Sequence, residues 1–223
     1  MDAPDADAEL LRRSLAYIRW VNALFGYTRA MLSHIERFSH GWKAGKTIRI
    51  LDVGTGSADI PRAILRWAGR RHFDVRLVGV DLQAVVVAEA AATNIDRRLS
   101  IVRANALDLP FSDGSFDYAI TSMFLHHLSD EAVVTVLREM SRVAARGILA
   151  ADISRNRRAY GWINLFTLLA NPMVRHDARV SVAQAFTRDE VISLGTRAGI
   201  HFASYHRHFG HRFILAGEKT RKD

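Results

Sequence analysis

Three apolar runs that end at an aspartate constrain this chain more than any other feature. Residues 48–53 carry Asp52 next to their end, residues 75–80 stop at Asp81, and residues 147–151 stop at Asp152. Residues 99–102 and 116–121 are further short apolar runs, the second following the turn Ser112-Asp113-Gly114-Ser115. Segments of helical periodicity separate them. Residues 60–68 form one, with Pro61 in the first turn, where its missing N–H costs nothing. Residues 84–92 form another. A third starts behind Ser129 and places Val133, Val136, Leu137, Met140 and Val143 on one face. Strand alternating with helix requires a parallel sheet covered on both faces, with right-handed crossovers. Ligands of such sheets sit at the carboxyl ends of the strands. Asp52, Asp81 and Asp152 are therefore expected along one edge.

The remainder completes an outline. Residues 8–38 read as helix, with Leu11, Leu15, Ile18, Val21, Leu24 and Phe25 at helical spacing, a break at Gly26, and Met31, Leu32, Ile35 and Phe38 continuing. Residues 158–183 look like an insertion with its own helix. Residues 189–198 are helical, and 201–205 with 212–216 form a closing hairpin around Gly210. The organisation expected is an N-terminal helical cap over 1–46 and a core over 47–223, with an insertion at about 153–186.

Composition excludes some classes. The 223 residues include no cysteine, so neither a disulfide framework nor thiolate chemistry is available. The acidic start (Asp2, Asp5, Asp7, Glu9) has no signal-peptide pattern, and no stretch reaches the ~18 apolar residues that span a bilayer. A cytoplasmic protein is expected. The net charge of +8 fits a nucleic acid, an anionic surface, an acidic carrier protein or simply a solvated exterior.

The loop after residue 53 reads Gly54-Thr55-Gly56-Ser57-Ala58-Asp59. Its glycines let backbone approach a ligand. Asp81, 25 residues after Gly56, suits the two hydroxyls of a ribose. A pyrophosphate fits badly, however. The third glycine of a dinucleotide fingerprint falls at Asp59, which sets a carboxylate where the helix end should attract an anion, and Asp52 adds another. No Lys-Ser/Thr pair follows, which removes a P-loop. A cationic ligand suits this loop better.

On these residues the chain resembles class I S-adenosylmethionine-dependent methyltransferases. The similarity is carried by ILDVGTGSAD, VGVDLQ and ANALDLPFSDGSFDYAITSMFLHHL, with a looser echo in AFTRDEVISLGTRAGI. The branch it is most similar to is the small-molecule group that includes the quinone-biosynthesis enzymes. The resemblance implies an α/β fold with a Rossmann-like, doubly wound, mostly parallel seven-stranded sheet, an antiparallel C-terminal hairpin strand and a helical lid. It implies S-adenosyl-L-methionine as cofactor. Gly54 and Gly56 would face its methionyl part, with Asp52 near the ammonium. Asp81 would take the ribose hydroxyls and Leu82 the adenine face. Asn105 and Ala106 would meet the adenine edge, and Ser122 the other side. Asn105 stands where the family often has aspartate, and Ala144-Ala145-Arg146-Gly147 replaces the usual Pro-Gly turn.

Methyl transfer needs alignment and, for a hydroxyl or enol, loss of a proton. His127, His126 and Asp152 are the candidates, His127 as base and Asp152 to orient a histidine or bind the acceptor. No metal is expected. The lid candidates, Tyr17, Trp20, Phe25 and Tyr27 with Tyr160, Trp162, Phe166 and Met173, suggest a hydrophobic or aromatic acceptor. Arg155, Arg157 and Arg158 before the insertion, with Arg175 and Arg179 after it, suit a carboxylate, an acidic carrier or a membrane surface. A homodimer is compatible with the sequence. RNA methylation and non-catalytic cofactor binding are the alternatives. The first lacks a D/N-P-P-Y type motif and any appended RNA-binding module, so no nucleic acid is expected. A nicotinamide dehydrogenase is disfavoured by the loop acids.

Overall fold

A computed structural model describes residues 27–155, 180, 182–209 and 211–220. Along the chain come α1 (Tyr27–Ser39), β1 (Ile48–Val53), α2 (Asp59–Arg70), β2 (Val75–Asp81), α3 (Ala84–Ala92), β3 (Leu99–Arg103) and β4 (Phe116–Ser122). They are followed by a 3-10 turn (Leu125–His127), α4 (Asp130–Val143), β5 (Ala144–Ile153), α5 (Arg188–Arg197), β6 (Ser204–His208) and β7 (Arg212–Glu218).

The seven strands form one sheet in the order β3-β2-β1-β4-β5-β7-β6. Strands β1 to β5 pair in parallel, whereas β7 runs antiparallel between β5 and β6. The order reverses between β1 and β4, so a crevice opens above their carboxyl ends.

Alternation along the central strands divides the core. Ile48, Ile50, Tyr118 and Ile120 pack with Met31, Ile35 and Phe38 of α1 and Ile64 and Trp67 of α2. Leu51, Val53, Ala119 and Ile148 pack with Val136, Leu137 and Met140 of α4 and Leu194 of α5. Side chains at successive positions point to opposite faces, which is why both registers of β1 are apolar. The two helices on the second face start on side-chain caps. Ser129 accepts from the Ala132 N–H, and Thr187 with Glu190 forms a reciprocal capping box. The turn that leads into β4 is tied down by Arg142, which donates to the Leu109 and Phe111 carbonyls and to Asp113.

Two expectations need correction. The final hairpin starts at Ser204, three residues after the predicted 201. The end of α5 explains the shift. Gly199 takes a left-handed φ of +77° and the Ile200 N–H closes on the Gly195 carbonyl, so the next residues are spent on a turn. The fifth strand starts at Ala144 rather than Gly147, because α4 passes into it with no intervening loop. Most of the predicted N-terminal helix pair, the insertion helix and Gly210 lie outside the described residues. So do Tyr17, Trp20, Phe25, Tyr160, Trp162, Phe166, Met173, Arg157, Arg158, Arg175 and Arg179. Among the described residues, no helix is long and apolar enough to cross a membrane.

Candidate active site

The loop between β1 and α2 is shaped by strand β2 beside it. The Gly54 and Thr55 N–H groups both donate to the Val80 carbonyl, each at 2.9 Å. Gly54 is left-handed, with φ +70°, and a Cβ there would stand 2.6 Å from Cγ of Phe124. Gly56 donates its N–H to Oδ2 of Asp81 at 3.1 Å, and the space where its Cβ would point is open. The other oxygen of Asp81 accepts from the Gln83 N–H at 3.1 Å. One carboxylate thus joins the two loops at the switch point.

Above these loops lies a cavity of about 380 Å³. Gly54, Gly56, Asp81 and Leu82 line one side, and Asn105, Ala106 and Ser122 continue around it. His127 lines it as well, with Met123 and Phe124. Asp59, which the sequence offered only as an argument against a pyrophosphate, also lines it, as do Thr55, Ser57 and Gln83, which were not singled out in the sequence. Their signal was their place in the two loops, which is local and readable.

Asp52 is the exception among the expected cofactor residues. It is 2% exposed and lies under the loop, outside the cavity lining. Thr55 Oγ1 donates to its Oδ2 at 2.7 Å. Burial pushes its carboxyl up to about 7, against the hydrogen bond from Thr55 and with help from the charges of Asp59 and Asp81. In the β1–β2 register Asp52 pairs with Gly79. A Cβ on Gly79 would lie 2.6 Å from Thr55 Oγ1, so the missing side chain makes room for the threonine that covers the acid.

Asn105 uses its Oδ1 to accept from the Leu107 N–H at 3.0 Å, which closes its own loop. Its carbonyl keeps one lone pair for a ligand.

The histidine turn is built from β4 and β5. Met123 leaves β4 left-handed (φ 56°) and donates its N–H to the Ala151 carbonyl at 2.9 Å. A non-glycine residue in that conformation is held by its surroundings at some cost, and such positions cluster at functional sites. Asp152 is fully buried. Its Oδ1 lies 2.7 Å from Nδ1 of His126 and also accepts from the Ile153 N–H, while Oδ2 accepts from the His126 N–H at 3.1 Å. His126 is 3% exposed, whereas His127 is exposed. The two rings are 4.1 Å apart. Asp152 therefore holds His126, and His126 flanks the histidine that reaches the cavity.

Behind Asp152, the guanidinium of Arg212 stands 3.6 Å from the centre of the Tyr27 ring, meeting its π face. Burial first, and then the charge of Asp152, pushes the Tyr27 hydroxyl well above its ordinary value. Arg155 forms an ion pair with Glu190.

Residues 50–147 match the family model described as a methyltransferase domain. The chain carries a methyltransferase domain of the S-adenosylmethionine-dependent class. It is 35% identical over 111 residues to a demethylmenaquinone methyltransferase of Roseiflexus sp. (strain RS-1), covering 49% of this chain and 44% of that protein. It is 32% identical over 165 residues to a demethylmenaquinone methyltransferase of Roseiflexus castenholzii, covering 70% of this chain and 65% of that one. The chain thus spans between two fifths and two thirds of these relatives' length. Human N-acetylserotonin methyltransferase, solved with S-adenosylmethionine, shares the fold. The TM-score is 0.67 at 13% identity, covering 96% of this chain and 57% of that one.

The methyltransferase domain's own atoms fit such a cofactor. Ser122 Oγ is buried at the cavity wall with no hydrogen-bond partner among the described residues. A buried hydroxyl left without a partner is costly, and a polar ligand group satisfies it. The free space at Gly56 gives the ligand backbone contact, and Asp81 faces the same space.

Proposed function

We propose that this chain is a cytoplasmic enzyme that transfers the methyl group of S-adenosylmethionine to a small hydrophobic or aromatic acceptor. The acceptor atom would be the oxygen of a hydroxyl or enol, or an activated ring carbon. One observation carries the reading: a single cavity is lined by the glycine loop, Asp81 and His127 together. The names of the two bacterial relatives support a quinone-like acceptor.

The cofactor, when bound, supplies a methyl group already activated on a sulfonium. The protein's part is to hold and align. Asp81 accepts from the ribose hydroxyls, Asn105 and Ala106 meet the adenine edge, and Leu82 covers its face. Ser122 contributes its free hydroxyl. His127 takes the proton of an acceptor hydroxyl at a ring nitrogen, and the Asp152–His126 pair fixes the turn from which it projects. Met123, Phe124 and Val86 give the cavity an apolar wall. A carrier or bilayer contact through Arg155 would have to compete with its ion pair to Glu190.

The test is calorimetric titration with S-adenosylhomocysteine followed by turnover on phenols and quinols. Asp81→Ala is expected to weaken binding by about 10- to 100-fold, the worth of charged hydrogen bonds. His127→Gln is expected to keep binding and cut the rate of O-methylation by about 100-fold or more. Full turnover by His127→Gln would remove the base from this account. Methyl incorporation into RNA and into no small acceptor would replace the function itself.

A further inference from the structure

We propose that the outer face of α1 and α2 docks on a bilayer surface that carries anionic phospholipid, where an acceptor that dissolves in lipid is met. The choice of a bilayer rests on the hydrophobic acceptor proposed above. Charge is divided between the two faces of the sheet. On one face α4 and α5 hold four arginines among five acids, and ion pairs join Arg142 to Glu139 and Arg197 to Glu131. On the other, α1 and α2 hold five arginines against two acids. Those two acids are engaged elsewhere: Glu36 forms an ion pair with Arg71, and Asp59 lines the cavity. Arg29, Arg37, Arg66 and Arg70 are exposed and form no ion pair among the described residues.

Arg29, Ser33 and Arg37 follow one another at helical spacing along α1, as do Arg66 and Arg70 along α2, so each set lies on the side turned away from the sheet. The two helices are in contact, and the Glu36–Arg71 pair joins their ends, so the two sets form one surface. Like charges left together without acids repel one another, and an anionic lipid surface attracts them within a Debye length. A single-stranded nucleic acid fits this face less well. Its bases stack on exposed aromatic rings, and the aromatic residues of these helices, Tyr27, Phe38 and Trp67, are all buried. The face also reaches the right end of the molecule. Asp59 at the start of α2 lines the cavity, and Tyr27 at the start of α1 meets Arg212, which pairs with the end of β5.

The experiment is co-sedimentation of the full chain with vesicles of phosphatidylcholine alone and of phosphatidylcholine mixed with phosphatidylglycerol, at about 0.1 M and about 0.5 M salt. Binding to the mixed vesicles alone is expected, with its loss at the higher salt. Arg66→Gln combined with Arg70→Gln should weaken it about 10- to 25-fold. Arg138→Gln combined with Arg188→Gln removes the same charge from the α4–α5 face and should change it by less than about twofold. Both variants should bind S-adenosylhomocysteine as the unaltered protein does, which separates loss of docking from loss of the fold. No binding to the mixed vesicles, equal binding to the neutral ones, equal loss in the two variants, or capture of RNA in place of vesicles overturns the docking face and leaves cofactor binding as it stands. Face-specific vesicle binding without turnover of any lipid-soluble quinol supports the docking face and counts against the acceptor reading alone.

Discussion

At Gly54 two requirements coincide, a left-handed backbone and an aromatic ring 2.6 Å from where a Cβ would be. Gly56 shares the first requirement, with φ +52°, and has open space instead of the ring. The pair therefore separates strain from contact. Gly54→Ala is expected to cost roughly 2–4 kcal/mol, strain plus overpacking, and Gly56→Ala about 1 kcal/mol. Chemical denaturation of the two variants checks this. Equal losses would show that the contact with Phe124 is unimportant. These glycines and Asp81 were legible in the sequence because loop chemistry is local. The position of Asp52 was not. Its burial depends on Thr55 filling the space left by Gly79, a residue of another strand. Nor does the dipeptide His126-His127 say which ring turns inward. That depends on Asp152, 26 residues away across the β4–β5 pair.

At the scale of elements, α1 is joined to the edge strand β6 by histidines. His34 is 3% exposed, its Nε2 lies 3.0 Å from Nε2 of His208, and its ring is 4.7 Å from that of His206. Burial, then His206, His208 and Arg37, lowers His34 to about 4. Its folded value is thus below the ordinary 6.5, so this contribution to stability is present above about 6.5 and is lost as pH falls towards 4. Hydrogen exchange, corrected for intrinsic rates, should show Tyr27–Ser39 losing protection over that range before Asp130–Val143 does. His34→Gln should blunt the difference. Loss of protection in both helices together would mean that the histidines do not act locally. Element types were largely readable from apolar periodicity, as in Ile48–Val53 and Ala84–Ala92, whose ends match the expectation. The turn Leu125–His127 was not readable, since it is set by the Met123 N–H finding Ala151 and the His126 side chain finding Asp152.

For the whole molecule, the sheet order sets the cavity between β1 and β4, where one bound ligand touches loops from several strands. Ligand binding should therefore stabilise the sheet as a unit. At 100 times Kd, S-adenosylmethionine is expected to add about 2.7 kcal/mol. For a domain of this size that raises Tm by roughly 5–10 °C. Thermal unfolding with S-adenosylmethionine and with NAD in parallel checks it, and an equal shift with NAD would contradict the ligand assignment. The parallel part of the sheet followed from alternation in the sequence, and the antiparallel pairing of the last hairpin from its turn. That β7 inserts between β5 and β6 is a long-range outcome that no local pattern encodes.

Phe124 carries a consequence in evolutionary terms. Its ring closes against Gly54, while the residues that follow it run into the turn held by Asp152. A substitution at Phe124 is felt in the glycine loop and in the histidine turn at once, so selection cannot adjust one there and spare the other. Divergence towards a new acceptor has more freedom in segments that meet the sheet away from this turn, and the stretch from Met123 to Leu128 is where drift should be slowest.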